Sequence, residues 1–155
     1  MLKVNFQVCS IREEKQIIES IEKNIDFFKS QKIPFILPKK SVEEEFDEKI
    51  YKEFFKELIG KWQKEKKDFL KKVDSFFNLK SEKEIIIKIT GYGCGGFYDS
   101  KTNEIFINKN LDFDFIRIIK HEIIHLIIEP YIEEFKINHK QKEQIVNQIA
   151  KFLEQ

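Results

Sequence analysis

His121-Glu122-Ile123-Ile124-His125 is the stretch of this 155-residue sequence whose residue types and spacing could do chemistry. On a helix, residues four apart are offset by about 40° and rise by about 6 Å, so both imidazoles can reach one divalent ion. Glu122 projects from the adjacent flank, where its carboxylate can take a proton from a water the ion has acidified. The bland alternative is a buried helix that merely contains two histidines. Ile118, Ile119, Ile123, Ile124, Leu126, Ile127 and Ile128 surround the motif, and two imidazoles and a carboxylate among them need polar partners. A metal supplies those partners, and the donor set favours zinc.

A zinc that activates water ordinarily takes a third protein ligand and leaves one position open. Downstream, the candidates are Glu129, Glu133, Glu134, His139 and Glu143. Glu129 stands two turns beyond His121, too far along a straight helix to share the ion. His139 and Glu143 fall on the next helical stretch, which can fold back antiparallel after Pro130.

The elements that must position these groups are legible as patterns. Leu2, Val4, Phe6 and Val8 alternate as a first strand. Helical spacing runs over 11–30 behind Ser10 as N-cap, and Pro34 and Pro38 then bracket Phe35-Ile36-Leu37. Ser41 with Glu44 reads as a capping box opening a helix through about Ile59, and a second helical stretch, Lys61 to Phe77, follows Gly60. Residues 84–90 are β-branched and strand-like, and Gly91-Tyr92-Gly93-Cys94-Gly95-Gly96 follows. Phe97-Tyr98-Asp99 and Glu104 to Asn108 flank four turn-forming residues as a hairpin. A helix from Asp112 to Glu129, ended by Pro130, and a last helix from Asn138 to Leu153 complete an α+β chain. The expectation is one domain over 1–155, with 1–80 mainly helical and the chemistry in 81–155.

His121-Glu122-x-x-His125 followed by Glu143-x-x-x-Asn147 resembles the gluzincins, the thermolysin-like zinc metallopeptidases. The likeness covers residues 84–153 and is nearest in size to the minigluzincins. It implies a minimal zincin-like domain with a small mixed sheet, an active-site helix and a glutamate helix, beside N-terminal helices. It implies zinc held by His121, His125 and Glu143, with Glu122 as general base in peptide-bond hydrolysis. Asn147 stands where the family has an Asp behind a metal-binding His, so any support to an imidazole N–H comes without charge. Gly95, Gly96, Phe97 and Tyr98 would form the edge strand that binds a peptide or protein substrate by strand addition. Gluzincins use a Tyr or His to polarise the scissile carbonyl, which makes Tyr131 and His139 candidates.

Composition narrows the partners. Lys+Arg number 28 and Asp+Glu 27, so no net field draws the chain to nucleic acid or an anionic membrane. The Lys-rich run 61–67 is interspersed with Glu and reads as a solvated helix face. No apolar run approaches the length of a membrane span, and the start lacks a secretory pattern, so a cytoplasmic protein is expected. Cys9 and Cys94 are then free thiols, Cys94 an ordinary loop residue rather than a thiolate on the metal. The rival to a peptidase is a latent or non-catalytic zinc scaffold whose cleft the N-terminal helices cover.

Overall fold

Alternating isoleucines build the centre of the sheet. The computed structural model describes residues 1–155. Its first half runs β1 (Leu2–Val8), α1 (Ile11–Lys23), α2 (Ile25–Ser30), β2 (Phe35–Ile36), α3 (Val42–Glu45) and α4 (Glu48–Phe77). The second runs β3 (Lys83–Thr90), β4 (Gly93–Cys94), β5 (Gly96–Asp99), β6 (Glu104–Asn108), α5 (Phe115–Glu134) and α6 (His139–Glu154). The architecture is α+β, with six helices and a mixed four-stranded sheet of order β1-β3-β6-β5. β3 pairs in parallel with both β1 and β6, and β5 closes the sheet as an antiparallel edge.

Ile85, Ile87, Ile89, Ile105 and Ile107 point from one face of the sheet and are fully buried. They join Leu2, Leu58, Trp62, Phe69, Val73, Ile119, Ile123, Val146 and Leu153 in one hydrophobic core beneath α4, α5 and α6. β1 and α4 are therefore built into the core that carries α5. The other face is thinner. There α1 packs Ile17, Ile18 and Ile21 with Cys9, Val42 and Tyr92. No helix is long and apolar enough to cross a membrane.

Four expected boundaries differ from the observed ones. The helix over 11–30 divides at Asn24, which ends α1 by bonding its own N–H to the Ile21 carbonyl and its side-chain amide to that of Ser20. Ser41 caps only the single turn of α3, and Asp47 opens a new helix by accepting from the Lys49 N–H at 2.9 Å. From there α4 is unbroken to Phe77, straight through Gly60. A mid-helix glycine costs about 1 kcal/mol. Leu58 and Trp62 are buried on either side of it, and burying such side chains is worth about 1.5–3 kcal/mol each. Packing wins.

Pro130 lies inside α5 and does not end it. Proline has no N–H, so the carbonyl of Leu126, four residues earlier, loses its helical donor. Lys83 supplies a replacement, donating from Nζ to the Leu126 oxygen at 2.9 Å. The helix runs on to Glu134. Lys136 then adopts φ 51° and Ile137 N–H returns to the Ile132 carbonyl at 3.0 Å, turning the chain back.

Candidate metal centre

That turn sets α6 against α5. Asn138 caps α6 reciprocally with Gln141, which fixes where the helix starts and hence which residues face α5. Glu143, on its second turn, meets His121 and His125 from α5. The Nε2 atoms of the two imidazoles are 3.0 Å apart. Glu143 Oε2 lies 3.4 Å from His121 Nε2 and Oε1 lies 3.2 Å from His125 Nε2. Donors about 2.0–2.1 Å from a tetrahedral zinc stand about 3.3–3.4 Å from one another. The two imidazole nitrogens and the Glu143 carboxylate thus lie within a few tenths of an ångström of such edge lengths, and the His/His/carboxylate donor set fits zinc.

Burial dominates the electrostatics of both imidazoles. Burial pushes His125 down to about 3, reinforced by His121 and by the Lys142 and His139 charges. Burial also lowers His121, outweighing the opposing pull of Glu143. With both imidazoles held below their ordinary value, the approach of Glu143 brings a carboxylate to two rings that resist protonation. Glu122 is 8% exposed. Burial, then the Glu143 charge, pushes its carboxyl up to about 8, while Lys142 opposes. A carboxyl titrating near neutrality can both accept and return a proton.

β5 comes unusually close to α5 here. A Cβ added at Gly96 would run into Ile118 Cγ2 and come within 3.5 Å of Glu122 Oε1, so only glycine permits the approach. Gly95 abuts the Phe113 ring in the same way. On the other face Phe97 stacks on Phe106 at 4.7 Å. Tyr98 lays its ring over His125, centroids 5.2 Å apart and planes 16° from parallel.

The remaining predicted residues are dispersed. His139 is mostly exposed on the first turn of α6, with Nδ1 4.0 Å from Glu143 Oε1. Tyr131 is also mostly exposed, further along α5, and makes no side-chain hydrogen bond. Asn147 lines a cavity of about 920 Å³ together with His121, Glu122 and Arg117 between α4, α5 and α6. It bonds to neither imidazole, and His125 Nδ1 is buried without a hydrogen-bond partner. Cys94 bonds to the Gly96 carbonyl at 3.4 Å, and burial, then the Glu122 charge, pushes its thiol up to about 11. It is not among the converging donors.

Sequence reasoning missed one group beside the site. Glu129, one turn beyond His125, accepts the Tyr98 hydroxyl, and Lys142, next to Glu143, donates to that same hydroxyl at 2.8 Å. Helical spacing carried the signal, since Glu129 follows His125 by one turn and Lys142 precedes Glu143 by one position. No family model, no curated protein and no solved structure matches the chain.

Proposed function

We propose that this chain is a zinc-dependent peptide hydrolase with a zincin-like core of gluzincin type. The observation that carries the reading is the convergence of His121 Nε2, His125 Nε2 and a Glu143 oxygen within 4.8 Å of one another, with Glu122 buried beside them. In this reading those three residues hold the ion. When bound, zinc supplies Lewis acidity that acidifies a water and polarises a carbonyl. Glu122, buried beside the three donors, accepts the water's proton and returns it to the leaving amine. His139, at the rim, is the better placed of the two candidate carbonyl-polarising groups.

The edge strand supports a peptide substrate. Asn108 N–H donates to the Gly95 carbonyl at 3.1 Å, and antiparallel pairs alternate, so Gly95, Phe97 and Asp99 bond inward to β6. Gly96 and Tyr98 turn their backbone N–H and carbonyl groups to the free edge, directly above α5. An extended peptide can add there as a fifth strand and lie across the metal ligands.

Replacing Glu122 by Gln tests this. The variant is expected to bind one zinc per chain with wild-type affinity while casein hydrolysis falls by about 10²–10⁴-fold. Chelator abolishes wild-type turnover and zinc restores it. Undiminished hydrolysis in Glu122→Gln, or loss of its zinc, overturns the assignment. The rival zinc scaffold predicts metal binding in the wild type with no chelator-sensitive hydrolysis at all.

A further inference from the structure

Metal-binding histidines are ordinarily oriented through their second ring nitrogen, which donates to a carboxylate, carbonyl or water. His121 and His125 point Nε2 at the cluster, yet His125 Nδ1 is buried without a partner. Something else must fix that ring. Its face is covered by Tyr98, stacked at 5.2 Å and nearly parallel.

Tyr98 is itself tightly held. Its hydroxyl donates to Glu129 Oε2 and accepts from Lys142 Nζ at 2.8 Å. Lys142 closes the ring with Glu129 at 3.6 Å and sits 5.4 Å from the Tyr98 ring centroid. The Glu129 and Lys142 side chains are only 15% and 17% exposed, so the pair is poorly screened by water. The three residues come from three elements, and each neighbours a site group. Tyr98 is on the edge strand, Glu129 one turn past His125, and Lys142 adjacent to Glu143.

We infer that Tyr98, held by Glu129 and Lys142, is a positioning residue that sets the plane of the His125 ring and ties the edge strand to the metal ligands. The inference rests on the metal reading above. It assigns the orienting role not to Asn147 but to a stacked phenol, whose backbone faces the edge where a peptide would dock. Glu129, which lies too far along α5 to share the ion with His121, is kept as the counter-charge of Lys142.

Zinc affinity, measured by competition with a chromogenic chelator, reads this directly. Tyr98→Phe keeps the stack and drops both hydroxyl bonds; Tyr98→Leu drops the stack as well. Expected losses are about 10-fold for Phe and approaching 100-fold for Leu, the range for outer partners of metal ligands. Glu129→Gln still accepts the phenol and retains most of the affinity, whereas Glu129→Leu behaves like Tyr98→Phe. Tyr92→Phe is the control, because it removes a similar phenol-to-Glu45 bond of 2.9 Å away from the cluster. Its zinc affinity should equal wild type.

Wild-type affinity in both Tyr98 variants overturns the inference, as does an equal loss in Tyr92→Phe, which would mark a general stability effect. A wild-type protein that binds no zinc removes the metal reading and this inference together. The predicted order of affinities in a protein that hydrolyses no peptide supports the inference and sinks only the peptidase reading.

Discussion

Gly96 offers the sharpest test of how the edge strand and the metal helix are fitted together. In Gly96→Ala the new methyl would approach Ile118 Cγ2 closer than the 3.0 Å that real Cβ contacts essentially never cross. Ordinary carbon–carbon contact is about 3.5–4.0 Å, so β5 or the Ile118 turn must move by about 1 Å. Overpacking of this kind costs about 1–3 kcal/mol. A displacement of about 1 Å beside the reacting groups costs about 10²-fold in turnover. Ile118→Ala removes the obstructing Cγ2, and because Ile118 is only partly buried its own cost falls toward the low end of the usual ~2–5 kcal/mol. The double variant Gly96→Ala/Ile118→Ala should then be more stable than the sum of its parts by at least ~1 kcal/mol, and recover part of the lost hydrolysis. Urea denaturation of all four proteins, with casein hydrolysis alongside, completes the cycle. Additivity within about 0.5 kcal/mol, or a Gly96→Ala protein with wild-type stability and turnover, refutes the close approach.

Two further predictions concern buried polar groups away from the metal. Glu14 is fully buried and accepts from Tyr51 at 2.5 Å and from the Gly91 N–H at 3.0 Å, and burial pushes its carboxyl up despite these bonds. A raised carboxyl favours the folded state below its unfolded value of 4.5, and that advantage is lost as pH rises through the folded value. Glu14→Gln, which cannot ionise, should therefore gain stability relative to wild type as pH rises, read from urea midpoints between pH 4 and 8. Glu14→Leu removes the acceptor of three donors, of which Thr90 Oγ1 can still turn to the Tyr92 carbonyl while Tyr51 and the Gly91 N–H are stranded, and should cost about 2–6 kcal/mol throughout. For the proline in α5, Lys83→Met orphans the Leu126 carbonyl and should cost about 1–3 kcal/mol. Pro130→Ala restores an N–H to that carbonyl and should rescue Lys83→Met, as thermal melts of the single and double variants would report. No rescue would show that Lys83 is not filling the gap left by Pro130.

What could be read from the sequence was local. The i, i+4 pairing of His121 and His125 needs only helical geometry, and the fold-back of the next helix narrows the third donor to His139 or Glu143, of which Glu143 meets both imidazoles. The hairpin that makes β5 an edge strand was equally legible, because its turn residues sit between two alternating segments. Long-range contacts overrode the rest. Gly60 and Pro130 read as stops, but Trp62 is held in the core and Lys83 comes from a different element to satisfy Leu126. Ser41 did cap a helix, although only for one turn, since Asp47 offered a second cap six residues later. The parallel pairing of β1 with β3 spans about eighty residues and leaves no trace in either strand's own pattern. In the sequence Tyr98 reads as a substrate-binding residue of the edge strand; its side chain's grip on His125 depends on two helices meeting, which no single segment encodes.

The pairing of β1 with β3 also imposes an order in time. On a growing chain, β1, α1 and the whole of α4 are made before the strand they need, so the apolar stripe of Leu58, Trp62 and Phe69 has no sheet to cover. β3 emerges as the organiser, and β6 and α5 then dock on it. Both histidines are made before Glu143, so the proposed metal cluster can close only after α6 turns back. Non-local closure of this kind slows folding. It also keeps the His121–His125–Glu143 cluster incomplete until the core that supports it exists.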